Sequence, residues 1–380
     1  MKRFYNGVLV LTVVAVLPSC TLFSKSGAEK PPARMDAGQA GRQHQTAAAG
    51  NKQAVAVTIP PFKSSADKRR IASLYYQLGL LSTQKGEHAK AVHHYRKALT
   101  IYLNSPDKNH PRVASLYNFI GTGYYRTRKY HKAVSAYRKA VALMRRNPAA
   151  QDSVVLASRL GSLGLAYWKT GQLNKAIQSF QAALQIEQRR LPADSAALAK
   201  RYSYLGMIYW RTRHYDKAAA YYRKAIAIEE KKSPGLSLAQ KKAELALIYR
   251  LKKDYPQAIT YYKQALQLET KLLGASHKRV AARYADLGNV YRLMGDTAQS
   301  IDAYTKALQI ERRLYGAGHA RVAQRYNTLG ALYRKQGKIN DAIASYKQAL
   351  TIRLKHFGKK HPKTRSTRRR LGLLKKRKTK

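Results

Sequence analysis

Residues 201–225 read RYSYLGMIYWRTRHYDKAAAYYRKA, and this stretch decides the fold. Gly206 and Tyr209 stand three apart, and Ala218, Tyr222 and Ala225 follow at intervals of four and three, so each group falls on one helix face. The stretch predicts two helices joined by a short turn. An earlier copy predicts the same pair, from about Arg112 to Arg126 and from about His131 to Met144. The glycine returns at Gly79, Gly121, Gly164, Gly206, Gly288 and Gly330, with Ala246 in the one gap, at spacings of 42, 43, 42, 40, 42 and 42 residues. Three after it stands a tyrosine in every unit but the first, where Ser82 replaces it. Sixteen after it the residue is always aromatic: Tyr95, Tyr137, Phe180, Tyr222, Tyr262, Tyr304 and Tyr346. Nineteen after it the residue is always alanine. Units of this length bury their apolar faces against their neighbours, so seven of them predict one stacked array with a long curved surface. Such a surface suits a binding scaffold better than an enzyme.

The 380-residue chain carries 73 Lys plus Arg against 19 Asp plus Glu, a formal charge of +54. That excess attracts polyanions and repels basic partners over roughly a Debye length. Acidic phospholipid, lipopolysaccharide, cell-wall polymer, nucleic acid and acidic protein all meet the requirement. The single cysteine, Cys20, excludes an intramolecular disulfide and a cysteine-based metal site. So few acids leave general acid–base chemistry short of candidates. No nucleophile constellation, phosphate-cradling loop or zinc-binding helix motif appears either. Neither catalysis nor a cofactor is expected.

Small residues that let paired helices approach, with a large aromatic filling the wedge between units, are the pattern of the tetratricopeptide repeat. The chain resembles that family over about three quarters of its length. The usual unit is about 34 residues. The longer period here, with segments such as His277-Lys278-Arg279-Val280-Ala281 between units, is similar to the repeats of kinesin light chains. The resemblance implies an all-α, right-handed superhelical solenoid of seven helix-turn-helix units, spanning residues 67–357, whose groove binds peptides or protein segments. Residues 358–380 hold twelve Lys or Arg, and Leu371-Gly372 lies 42 residues after Leu329-Gly330, so a basic capping helix is expected there. The fifth unit departs most, with Ala246 for glycine, Lys242 where a tyrosine usually sits and two residues fewer.

At the other end, Lys2 and Arg3 precede an apolar run from Val8 to Leu17, then Leu17-Pro18-Ser19-Cys20. Charged, apolar and small-residue parts in this order read as a secretory signal, too short to span a bilayer. It resembles the signal of bacterial lipoproteins, with Pro18 as a departure from the usual small residue. The resemblance implies a signal over residues 1–20, lipidation of Cys20, and, with Thr21 rather than Asp next, an anchor at the periplasmic face of the outer membrane. Residues 21–66, rich in Ala, Gly, Ser, Gln and Lys, read as a flexible tether.

His110, His277, His319 and His361 share one place in their units, where Asp152, Ser195 and Ser237 stand elsewhere. A metal ladder and a row of helix starts both fit the repetition; Pro111 and Pro362, each next in sequence, favour helix starts. The residue four after the glycine is expected to line the groove. It reads Thr83, Tyr125, Trp168, Trp210, Arg250, Arg292 and Arg334, and Arg126, Lys169 and Arg211 flank the aromatic members. This row could hold an extended acidic peptide, rings gripping apolar side chains and guanidinium groups pairing with carboxylates. Equally, the rings could fill a narrow groove beside solvated arginines. Single-stranded nucleic acid is the weaker partner, because most tyrosines sit at packing positions and cations such as Lys132, Lys139, Lys217 and Lys224 fall on second helices. The sequence thus points to a non-catalytic, lipid-anchored scaffold for an acidic protein or peptide. Direct binding of an anionic polymer by the basic surface is the alternative.

Overall fold

The computed structural model describes residues 64–104, 111–147, 149, 153–232 and 234–378. The expectations for the signal, Cys20, most of the tether, His110 and Asp152 lie outside the described residues. Among those described, every regular element is a helix. Unit one is α1 (Ser65–Gln84) and α2 (His88–Leu103), unit two α3 (Pro111–Arg126) and α4 (Tyr130–Arg145), and unit three α5 (Val154–Lys169) and α6 (Leu173–Arg190). Unit four is α7 (Ala196–Arg211) and α8 (Tyr215–Glu230), unit five α9 (Leu236–Leu251) and α10 (Tyr255–Leu273). Units six and seven are α11 (Lys278–Met294) with α12 (Thr297–Tyr315), and α13 (Ala320–Lys335) with α14 (Ile339–Phe357); α15 (Pro362–Lys378) follows. Each helix packs on the helices before and after it in sequence. This is the all-α superhelical solenoid expected.

Local chemistry sets the ends. α1 begins two residues before the expected start of the array, because Ser64 caps it: its Oγ accepts from the Asp67 amide at 3.1 Å and donates to the Asp67 carboxylate at 2.8 Å. His277, His319 and His361 do start helices, each Nδ1 accepting a backbone N–H two residues on at 3.2 Å. Ser195 caps α7 in the same way. Ser237 does not cap α9. It lies inside that helix, Gly235 takes the cap position, and the serine hydroxyl turns to Glu229 at 3.1 Å. The shortfall before unit five falls at the end of α8, which has 16 residues where α6 has 18.

Two contacts repeat from unit to unit. Within a unit, the aromatic of the second helix lies flat against the glycine of the first. A Cβ at Gly121, Gly206 or Gly288 would sit 2.7–2.8 Å from the ring of Tyr137, Tyr222 or Tyr304, and one at Gly164 would sit 2.9 Å from Phe180. Only hydrogen fits there without a shift. Between units, the residue 23 after one glycine meets the residue five before the next. Glu187 pairs with Arg201 at 2.7 Å, Glu229 with Lys241 at 2.6 Å, Glu269 with Arg283 at 3.4 Å and Glu311 with Arg325 at 3.0 Å. The arginines of this row also lie over the preceding unit's aromatic: Arg201 over Phe180 at 5.4 Å, Arg283 over Tyr262 at 5.8 Å and Arg325 over Tyr304 at 5.6 Å. Lys242, buried in the tyrosine position of unit five, is satisfied by Glu230 at 2.5 Å and Gln264 at 2.6 Å.

The turn inside each unit places the residue seven after the glycine in the left-handed region. Glycine serves at Gly86, Gly171, Gly295 and Gly337, but Arg128, Arg213 and Lys253 take φ of 60°, 62° and 64°. A side chain there costs about 1–2 kcal/mol. Urea denaturation followed by circular dichroism should therefore show Arg213→Gly stabilising the array by about 1 kcal/mol. Gly206→Ala should lose about 1–3 kcal/mol through its clash with Tyr222. An unchanged midpoint for Gly206→Ala would remove the ring contact as the packing rule.

Candidate binding groove

The expected groove row sits in the last turn of each first helix, and its backbone is pinned. The carbonyls of Thr83, Tyr125, Trp168, Trp210, Arg250, Arg292 and Arg334 each accept the N–H of the left-handed residue three positions on, at 3.0–3.3 Å. The preceding tyrosine, such as Tyr167, Tyr209 or Tyr249, turns inward and is buried, whereas the row residues are half-buried or exposed.

In the aromatic part, Tyr125 meets Tyr130 edge-on at 5.3 Å. Trp168 and Trp210 are half-buried against the core, and Lys169 Nζ lies 4.3 Å from the Trp168 ring. The Trp168 indole N–H is buried without a hydrogen-bond partner. Arg126 is half-buried; desolvation, with the Arg126 charge behind it, holds the His88 imidazole below its usual range. Arg211 is exposed.

The cationic part is less free than its sequence suggests. Arg250 lies beside the Tyr262 hydroxyl and Arg292 beside that of Tyr304, while Arg292 Nη2 also donates to Asn289 Oδ1 at 2.7 Å. Arg292 and Arg334 remain exposed. The repeat aromatic thus does a second task, turning its hydroxyl edge to the groove row. In unit one, which has a threonine in the row, Thr83 Oγ1 meets the Tyr95 hydroxyl at 3.1 Å.

A further row, two before each glycine, was not singled out in the sequence. It reaches back to the aromatic of the preceding unit. Phe119 stacks on Tyr95 and Tyr204 on Phe180, both at 5.2 Å, whereas Ser162, Glu244 and Asp286 stand near the hydroxyls of Tyr137, Tyr222 and Tyr262. Burial, and then the Glu244 carboxylate, drives the Tyr222 phenol well above its usual range. Asp286, 40% exposed, bonds Arg283 at 2.9 Å; desolvation raises its carboxyl even so, against the pull of Arg283, Arg250 and Arg325. Two carboxylates therefore stand among the arginines. The fixed offset from the glycine was the available signal.

Among the described residues no group of three or more His, Cys, Asp or Glu could hold a metal ion, and no helix is long and apolar enough to cross a membrane. The rows set rings, guanidinium groups and a few fixed acceptors near one another.

Residues 70–146, 155–231, 237–312 and 282–355 match the tetratricopeptide repeat family. The chain is a tetratricopeptide-repeat protein. Repeats of this family build scaffolds for protein or peptide partners. Among solved structures, the C-terminal part of a TPR repeat-containing protein from Cytophaga hutchinsonii is similar at 18% identity, covering 77% of this chain and 98% of that one, with a TM-score of 0.58. BtubC (BKLC) from P. vanneervenii is 28% identical over 61% of this chain and 94% of its own, with a TM-score of 0.48. The nearly identical TPR-like repeats assigned to a kinesin light chain of Podosopora anserina are 18% identical over 54% of this chain and 98% of theirs, with a TM-score of 0.49. No curated protein matches the chain in sequence.

The buried hydroxyl edge gives the tetratricopeptide array a pH signature. Burial lifts the Tyr137 phenol from 10.0 to about 12, with Thr122, Arg126 and Ser162 opposing. A raised folded value favours the neutral phenol, so this stabilisation is complete below pH 10 and is lost as pH rises through about 12. Absorbance titration near the phenolate band should show a Tyr137→Phe variant lacking one late-titrating tyrosine. An unchanged late phase would place Tyr137 in an ordinary solvated site.

Proposed function

We propose that this protein is a non-catalytic, lipid-anchored scaffold of a bacterial envelope. Its groove takes an extended peptide segment carrying both apolar and acidic side chains. The observation that carries this reading is the groove row itself. A pinned run of Tyr125, Trp168 and Trp210 passes into Arg250, Arg292 and Arg334 along one face. Half-buried indoles beside cations are what anchors an apolar side chain flanked by carboxylates. Lys169 lying on the Trp168 ring keeps such a pocket covered until a ligand displaces it.

The anchor reading rests on the Leu17-Pro18-Ser19-Cys20 sequence. With Cys20 acylated, residues 21–63 would place the array on the order of 35–40 Å from the membrane if they behave as a flexible coil. The outward cations would then favour the anionic envelope surface.

A fluorescein-labelled peptide of alternating Glu and Leu tests the groove by anisotropy. Trp168→Ala combined with Trp210→Ala, and separately Arg250→Ala combined with Arg292→Ala, should each weaken binding at least tenfold, about 1.4 kcal/mol. Retention of affinity in both variants, with complete loss in high salt, would instead favour polyanion binding by the basic surface.

For the anchor, Cys20→Ala expressed with its own N-terminus should move the protein from the membrane fraction to the soluble fraction. Unaltered fractionation would refute lipidation.

A further inference from the structure

The row of inter-unit ion pairs has one broken member. Arg159 stands five before Gly164, the place held by Arg201, Lys241, Arg283 and Arg325 in the next four units. Each of those cations has a glutamate 23 after the preceding glycine. At the boundary of units two and three, Met144 stands in the glutamate's place opposite the position of Arg159. The Arg159 side chain is buried, with 9% of the residue exposed, and its one hydrogen bond runs from Nη2 to Ser115 Oγ at 2.9 Å. Five N–H donors on a buried guanidinium ordinarily find acceptors.

The last unit also lacks that glutamate and shows how the fold can close the place by itself. There Arg353 replaces the glutamate, and its Nη1 donates to the Lys363 carbonyl at 3.0 Å, to Asn327 Oδ1 at 3.3 Å and to Thr367 Oγ1. At the boundary of units two and three nothing comparable happens. Asn118 stands where Asn327 does, three before its glycine, yet its Oδ1 is buried without a partner. The third unit's residue in that place, Gly161, lies directly under the Arg201 guanidinium. Trp168, whose indole N–H is also unpartnered, lies on α5 together with Arg159. Unmatched buried polar atoms also occur at His94 Nδ1, Glu229 Oε2, Glu269 Oε2 and Arg283 Nε, but at the boundary of units two and three the whole acidic partner is missing.

We infer that Arg159, with Ser115 and Asn118, is a carboxylate-binding subsite, in which an acidic group of the bound peptide supplies the charge that Glu187, Glu229, Glu269 and Glu311 supply at later boundaries. The inference rests on the groove reading above and gives it a register. The peptide's carboxylate pairs with the guanidinium, the Ser115 hydroxyl is free to donate to it, and a turned Asn118 amide presents its NH2 to the same point. Aromatic anchoring at Trp168 then follows toward the far end of α5. A free C-terminus and an Asp or Glu side chain offer the same group.

The test supplies the missing acid from within. Met144→Glu should restore the internal pair, raise the melting temperature and weaken binding of the fluorescein-labelled peptide of alternating Glu and Leu about tenfold. Arg159→Gln should weaken it similarly while the circular dichroism spectrum stays unchanged. If amidating the C-terminus of the probe abolishes the difference between wild type and Met144→Glu, the subsite reads a chain terminus; if the difference persists, it reads an acidic side chain. Equal affinity of wild type, Met144→Glu and Arg159→Gln, with the Trp168→Ala and Trp210→Ala pair still impaired, overturns the subsite and leaves the groove reading standing. No binding by the wild-type protein overturns both.

Discussion

Everything in the array depends on one close approach: an aromatic ring laid against a helix position that has no side chain. The ring fixes how near the two helices of a unit come, and its other face and edge then serve both neighbours. Arg201, Arg283 and Arg325 lie over the rings of the units before them. The hydroxyl edges meet Thr83, Arg250 and Arg292 on the groove side. A methyl group at the glycine would push the ring, and with it the cation stacked above and the groove residue beside it. Ala246 shows that one unit can bear the change, and that unit is also the one with a buried lysine in the tyrosine place. Core side chains are close-packed, so adjustments of this kind arrive together.

The second constraint is electrostatic. A chain with 73 basic and 19 acidic residues has few carboxylates to distribute, yet four of them, Glu187, Glu229, Glu269 and Glu311, stand at successive unit boundaries. Breaking such a buried pair by removing one partner typically costs about 3–5 kcal/mol, because the remaining charge stays buried. The pairs therefore specify the order of stacking more than they add net stability. They also explain how so basic an array tolerates Arg201, Lys241, Arg283 and Arg325 between its units, since each of these four has an acid beside it.

The fold was legible in the sequence because its cause is periodic. A glycine and an aromatic sixteen residues apart, repeated at a fixed interval, leave few other packings, and the helix ends followed within a residue or two. Ser237 misled because a shared place in the repeat was read as a shared role; the shortened α8 shifted the cap to Gly235. The groove row at Tyr125, Trp168, Trp210, Arg250, Arg292 and Arg334 was legible as a row, but its chemistry was not. Whether Arg250 is solvated or lies beside a tyrosine hydroxyl depends on a side chain from the other helix. Glu244 and Asp286 were missed because a carboxylate two before the glycine looks like any exposed acid until the curvature of the stack brings the preceding ring beneath it. The glutamate row was missed for the same reason: its partners lie in the next unit.

Those two carboxylates also bear on what the groove can accept. An uninterrupted polyanion laid along the row would pass Arg250, Arg292 and Arg334, but would also pass Glu244 and the raised-pKa Asp286 at intervals of one unit. Like charges at close range oppose each other. A peptide can set its acidic side chains against the guanidinium groups and turn neutral ones toward the acids, because alternate residues of an extended chain face opposite ways. A polymer with a charge on every unit has no such freedom. Mixed charge along this row therefore fits the heterogeneous peptide proposed above better than a uniform polyanion.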